Sequence, residues 1–386
     1  MTGSSAATLS GAPVRALFVD HAPALGGAEH SLLLLFECLD RSQVTPLLAC
    51  VPGPLQERAE ALGVACRPMA MPQVRGHLLG PWRLLGGAVA LARLARREAA
   101  ELLCANTVRA SLYAALAARL AGLPLVWYVR DILTPGFYIQ AMRRCSAAVV
   151  AVSCAAAEPL GVGAVIVPNG VLGDAFSTDA ARVLQARARW GVPRDAPLVG
   201  MVGRLRPWKG QDHFLRAMAL VAAQQPDAWF VLVGGAIFEE REPFLPSLRH
   251  LADSLELGDR TVFAGQVEDV AAAYAAMDVV VHCSVEPEPF GRVVIEAMAA
   301  SRPVVAYDWG GPHEIMVSGE TGLLVPPGGI GHLSAAVLSL LRDPEKRQAM
   351  GAAGRARAAG HYDARATARQ VQDLLVEVGR GAGHVP

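Results

Sequence analysis

The chain has 386 residues, of which 53% are hydrophobic and 18% charged, and its formal net charge is zero. Single hydrophobic cores stop growing near about 250–300 residues, so two domains are expected. The apolar content excludes a disordered chain, and the balanced charge leaves no excess to neutralise a nucleic-acid backbone.

The Ser/Thr/Gly/Ala-rich start, Met1–Pro13, reads as a tail and not as a signal peptide, which points to the cytoplasm. No stretch reaches about 18 uncharged apolar residues, so no spanning helix is expected. Short apolar runs then alternate with helical patterns. Strands are predicted at Val14–Asp20, Val44–Val51, Val64–Arg67, Glu101–Asn106, Leu125–Arg130, Ala147–Val152 and Ala164–Val167, and helices at Ala28–Leu39, Leu55–Leu62, Trp82–Ala99 and Val108–Ala121. After Asn169-Gly170 and a polar linker the pattern restarts. Strands are predicted at Leu198–Gly203, Trp229–Val233, Val262–Ala264, Asp278–Cys283, Pro303–Ala306 and Gly322–Val325, with helices between and after them through Ala364–Val378. Strands this apolar, separated by helices, predict parallel sheets covered on both faces, in two βαβ-type domains with a cleft between them.

Seven cysteines with no Cys-x-x-Cys pair fit reduced, buried thiols and oppose a zinc site. The 35 basic residues are 33 Arg and two Lys, Lys209 and Lys346, which singles out each lysine.

In open parallel sheets ligands bind beyond the carboxyl ends of the strands, so the loops that follow strands carry the information. Gly26-Gly27-Ala28-Glu29 follows the first strand and opens a helix; its backbone can approach an anion closely, though a tight connection alone would also explain it. It is neither G-x-G-x-x-G nor a Walker loop. Arg204 and Lys209 flank the loop after Leu198–Gly203 and could clamp a diphosphate or simply be solvated. Glu288 precedes the helix that begins at Arg292, and Glu296 interrupts that helix's apolar face, where a carboxylate needs a partner. Two such groups can accept bonds from sugar hydroxyls; a glycosidase pair would leave the two cations unexplained.

Together these residues resemble the retaining nucleotide-sugar glycosyltransferases of the GT-B fold, the large bacterial family that includes lipopolysaccharide and mannosyl transferases. Glu288-Pro-Phe-Gly through Glu296 matches that family's Glu-x7-Glu motif, and Gly26-Gly27-Ala28-Glu29, Pro168-Asn169-Gly170-Val171, Gly203-Arg204 through Lys209-Gly210, and Gly310-Gly311 follow in its order. The resemblance implies an α/β GT-B fold of two Rossmann-like domains facing each other across a cleft. The first, residues 1–175, would bind the acceptor and the second, 176–362, the donor; residues 363–386 would form a helix crossing back.

It also implies that Arg204 and Lys209 hold the donor diphosphate, with no metal or other cofactor, since no Asp-x-Asp motif is present. Glu296 would bind the ribose. Glu288, with Phe290, Gly291 and Arg292, would hold the sugar and phosphates. Gly26 and Gly27 would admit the diphosphate, and Gly265 and Val267 would meet the base through the backbone. Relatives often carry a histidine where Arg130 stands. Asp131 therefore keeps a candidate role at the sugar or acceptor, and His21 is a candidate substitute for the histidine.

The implied activity is transfer of a sugar from a nucleotide-diphosphate sugar, UDP first, with retention, to a hydroxyl acceptor. A lipid-linked or surface glycan is the first acceptor expected and a small aglycone the second. A UDP-sugar epimerase and a non-enzymatic sugar-binding protein are the rivals. Arg83, Arg93, Arg96 and Arg97 fall within an arc of about 140° on the Trp82–Ala99 helix, which suggests contact with an anionic membrane face.

Overall fold

The computed structural model describes residues 12–74, 80–235 and 244–381; the expected tail lies, through residue 11, outside them. The first lobe contains strands β1 (Val14–Asp20), β2 (Val44–Cys50), β3 (Ala65–Pro68), β4 (Leu102–Ala105), β5 (Leu125–Val129), β6 (Ala148–Ala151) and β7 (Val165–Ile166). Its helices are α1 (Gly27–Cys38), α2 (Pro54–Ala61), α3 (Gly80–Arg97), α4 (Val108–Ala121), α5 (Phe137–Cys145) and α6 (Cys154–Ala157).

The second lobe begins with α7 (Ala180–Arg189) and holds β8 (Leu198–Val202), β9 (Trp229–Val233), β10 (Thr261–Gly265), β11 (Val279–His282), β12 (Val304–Tyr307) and β13 (Gly322–Val325). Between and after them lie α8 (Gln211–Ala222), α9 (Phe244–Ser254), α10 (Val270–Ala276), α11 (Arg292–Ala299), α12 (Gly311–Ile315), α13 (Ile330–Leu341) and α14 (Pro344–His361). A final helix, α15 (Ala364–Gly381), packs on α1, β1, β2 and β4 of the first lobe.

Every strand pairing is parallel, in the orders β3-β2-β1-β4-β5-β6-β7 and β10-β9-β8-β11-β12-β13. The inner strands β4, β5, β11 and β12 are buried on both faces because helices cover both, while the edge strands β3, β7, β10 and β13 are partly open. In the first lobe Phe18 meets Phe36 of α1 edge to face at 5.0 Å on one side of the sheet, while Leu91, Tyr113 and Ile139 of α3, α4 and α5 fill the other. In each sheet the order reverses at one place, between β1 and β4 and between β8 and β11. Such switch points open a crevice at the strand ends.

The chain crosses between lobes twice, and the two crossings touch. Val171 N–H donates to the Tyr362 carbonyl at 2.7 Å and Ala364 N–H to the Val171 carbonyl at 3.0 Å. A Cβ at Gly170 would overlap the Ala364 backbone, which explains the glycine.

Two short helices escaped the sequence pattern. In α5 only Ile139 and Met142 are buried, too few to write a stripe, and α6 has only four residues. The helix expected over Trp82–Ala99 starts earlier, at Gly80, and ends at Arg97, since Ala99 takes a left-handed φ of 50°.

Candidate active site at the two switch points

In the second lobe, the segment after β8 returns through a single turn at Pro207–Lys209 to Gly210, whose φ of +78° starts α8. A Cβ at Gly210 would overlap the Cys283 carbonyl, so the loop lies directly against the segment after β11. Lys209 Nζ sits 4.1 Å from the Trp208 ring centroid and 2.5 Å from Glu288 Oε2. The same oxygen receives Ser284 Oγ at 3.1 Å and His282 Nε2 at 3.3 Å. Burial alone would raise the Glu288 carboxyl; the Lys209 ammonium and the His282 hydrogen bond overcome it and hold the group well below the usual carboxylate range. No bond to Oε1 is made among the described residues.

Gly291, at φ +94°, turns the chain into α11, and Phe290 is buried against Tyr362 at 6.0 Å. The partner that Glu296 requires is double: Tyr274 OH donates to Oε2 at 3.0 Å and Arg292 Nη2 to Oε1 at 2.9 Å.

In the first lobe, Gly26 N–H donates to Glu29 Oε2 at 2.6 Å and Gly27 opens α1. A Cβ at Gly26 would stand 3.5 Å from Arg204 Nη1, which places the glycine turn opposite the second lobe's cation. His21 Nδ1 lies 2.6 Å from Thr107 Oγ1; burial, then Arg109, lower its pKa to about 4, so the ring is neutral at pH 7. Asp131 keeps contact with solvent. Burial raises its carboxyl while Arg130 and Arg204 pull it down and Glu288 pushes it up, which sets it across the cleft from the second lobe's charges.

Arg130 is held by partners on three segments. Its Nε donates to Asn106 Oδ1 at 2.7 Å, its Nη1 to Asn169 Oδ1 at 2.9 Å, and its guanidinium stacks 4.9 Å from the Tyr128 ring centroid. It ties β4, β5 and the interlobe crossing together. Asn106 in turn donates to the fully buried Asp20 at 2.6 Å.

Burial, then Glu29, raise Asp20 from 3.8 to about 7. The folded protein therefore keeps a proton between about pH 4 and 7 that the unfolded chain releases. This group's stability contribution is full below about pH 4 and is lost as pH rises through 7. Urea unfolding at pH 5 and pH 8 is expected to show that loss in the parent protein, and a smaller one in Asp20→Asn.

The structure thus joins Lys209 to Glu288, Glu296 to Arg292, and Gly26 to the neighbourhood of Arg204. Gly265 and Val267 lie at and just beyond the end of β10, the edge strand; the Gly265 carbonyl accepts from Gly234 N–H at 2.8 Å, and a Cβ at Gly234 would overlap the Gly203 carbonyl beside Arg204. Sequence reasoning missed His282, Ser284 and Tyr274. The signal for the first two was a His-x-Ser pair closing an otherwise apolar strand.

Two parallel Rossmann-like lobes meeting at their switch points make this a GT-B fold. Residues 184–357 match the family described as "Glycosyl transferases group 1" and residues 25–171 that described as "Glycosyltransferase Family 4". The group 1 glycosyltransferase model thus matches most of the second lobe and the Family 4 model most of the first.

The chain is 33% identical over 216 residues to the GDP-mannose-dependent alpha-(1-6)-phosphatidylinositol monomannoside mannosyltransferase of Mycolicibacterium smegmatis, covering 54% of this chain and 55% of that one. It is 38% identical over 235 residues to the D-inositol 3-phosphate glycosyltransferase of Kineococcus radiotolerans, covering 56% and 54%. It therefore spans about half the length of the curated relatives it matches. The crystal structure of Anabaena Alr3699/HepE in complex with UDP and glucose superposes with a TM-score of 0.83 at 28% identity, over 94% of this chain and 99% of that one.

Proposed function

We propose that this protein transfers a sugar from a nucleotide-diphosphate sugar to a hydroxyl of a lipid-linked or surface glycan, with retention of anomeric configuration. The observation that carries the proposal is the Lys209–Glu288 pair at one switch point, with Arg204 facing the glycine turn of the other. Breaking a sugar–diphosphate bond puts positive charge on the sugar and negative charge on the leaving group. In this reading Arg204, Lys209 and the α1 N-terminus answer the diphosphate charge in place of a metal ion, each donor contributing on the order of 10²–10³ in rate. Glu288 Oε1 and the backbone N–H groups at Phe290-Gly291 hold the sugar and phosphates. Glu296 accepts from the ribose, and the backbone at Gly265–Val267 meets the base. Asp131 and the neutral His21 lie on the acceptor side.

A UDP-sugar is the favoured donor, because the likeness to the UDP-bound HepE structure runs through nearly both whole chains, whereas the GDP-mannose-dependent relative is matched over about half. A lipid-linked acceptor is supported by α3, where Trp82 is 72% exposed beside Arg83 and no acidic residue occurs in Gly80–Arg97. Such a face suits an anionic membrane surface and a place at the inner side of the membrane. No helix among the described residues is long and apolar enough to cross a membrane.

A thermal-shift panel of UDP, GDP and ADP and their sugars tests the reading. A ligand at 100 times its dissociation constant adds about 2.7 kcal/mol. One nucleotide family is expected to raise the melting temperature, and Glu296→Ala to remove the shift and cut turnover at least a hundredfold. A flat panel would count against donor binding.

A further inference from the structure

Arg292 begins α11, yet its side chain serves both lobes. Nη2 donates to Glu296 Oε1 at 2.9 Å, one turn along its own helix. Nη1 donates at 3.0 Å to Ser31 Oγ, on α1 of the opposite lobe. Ser31 Oγ then donates to the Gly27 carbonyl at 2.8 Å. An unbroken bonded path thus runs from Tyr274 OH through Glu296, Arg292 and Ser31 to the residue that opens α1. The path is largely shielded from water: side-chain exposure is 18% at Arg292 and 14% at Glu296, and Ser31 is buried. Shielding strengthens each bond and makes the loss of any partner expensive.

The chemistry of the link is specific to arginine. A planar guanidinium presents donors on two nitrogens in a fixed fork and so holds two acceptors on two bodies at once. A lysine ammonium is a point donor on a flexible stem and does not reproduce that geometry. Gly27 also lies in contact range, since a Cβ there would stand 3.7 Å from Arg292 Cδ.

We propose that Arg292 is a positioning residue that couples the Glu296 carboxylate to the glycine turn of the opposite lobe, seating the first turn of α1 against the donor diphosphate. This rests on the reading of Glu296 and Gly27 as donor-binding groups. Arg292 acts through those two groups and does not itself touch the transferred sugar. Its removal therefore impairs the closed, reactive arrangement more than it impairs nucleotide affinity.

A double-mutant cycle on Ser31→Ala and Arg292→Lys tests this in the full chain, with melting temperatures confirming that each variant folds. Each single change is expected to lower kcat about tenfold, while the dissociation constant of the nucleoside diphosphate moves less than about threefold. The double variant is expected to be no worse than the weaker single one, because both break the same path. Amide exchange in residues 29–33 without ligand is expected to quicken in both single variants. Losses that multiply to about a hundredfold would overturn the proposal. So would a fall in nucleotide affinity as large as the fall in kcat, which would make Arg292 a direct donor ligand, or unchanged exchange in α1. If the parent protein bound no nucleoside diphosphate, the proposed function would fail, and the exchange comparison would still decide whether the Arg292–Ser31 path holds the first turns of α1.

Discussion

Lys209→Ala is expected to lower glycosyl transfer at least a hundredfold. Its ammonium is the nearest cation to the Glu288 carboxylate and, in the proposed reaction, the group that meets the leaving diphosphate. A second effect follows from burial. Glu288 is 9% exposed, and without Lys209 its charge keeps only the Ser284 and His282 bonds. Leaving a buried charge short of its partner costs up to about 3 kcal/mol here. Lys209→Ala combined with Glu288→Gln is therefore expected to regain part of the stability lost by Lys209→Ala alone, measured by urea midpoints, while turnover stays lost. If the double variant were less stable than the single one, the pair would not be held by charge.

Gly311→Ala is expected to be among the most damaging conservative changes in the second lobe. Its Cβ would land on the Phe290 carbonyl oxygen, and neither side is a flexible side-chain end. Gly311 N–H also donates at 2.8 Å to the Glu288 carbonyl, so the two segments cannot separate without moving Glu288. Overpacking of this kind costs about 3 kcal/mol, and an ångström-scale shift of the Glu288 loop lowers turnover about a hundredfold. Gly331→Ala is the matched control. That glycine sits in the first turn of α13 with nothing near its Cβ position, so the change is expected to leave activity intact and stability equal or slightly raised. Chemical denaturation and donor turnover on both variants check the contrast.

The apolar strands and the glycine turns made the two-sheet architecture legible before any coordinates, because burial on both faces writes continuous Val/Ala/Leu runs. Lys209 was legible through its rarity, and Glu296 through its place in an apolar helix face. What the sequence hid were the partners. Tyr274 and Glu296 are 22 positions apart, and Ser31 and Arg292 are 261. Such meetings are made by tertiary packing, and no local period marks them. The partners of Arg130 were hidden for the same reason, since Asn106 and Asn169, which accept from its guanidinium, lie 24 and 39 positions away.

Isothermal titration of UDP, GDP and ADP into the chain, with a chelator present, examines the central claim most directly. One of the three is expected to bind at one site per chain without added metal, and Arg204→Ala to weaken that binding at least tenfold. Absence of binding by all three, or an affinity untouched by Arg204→Ala, would contradict the account.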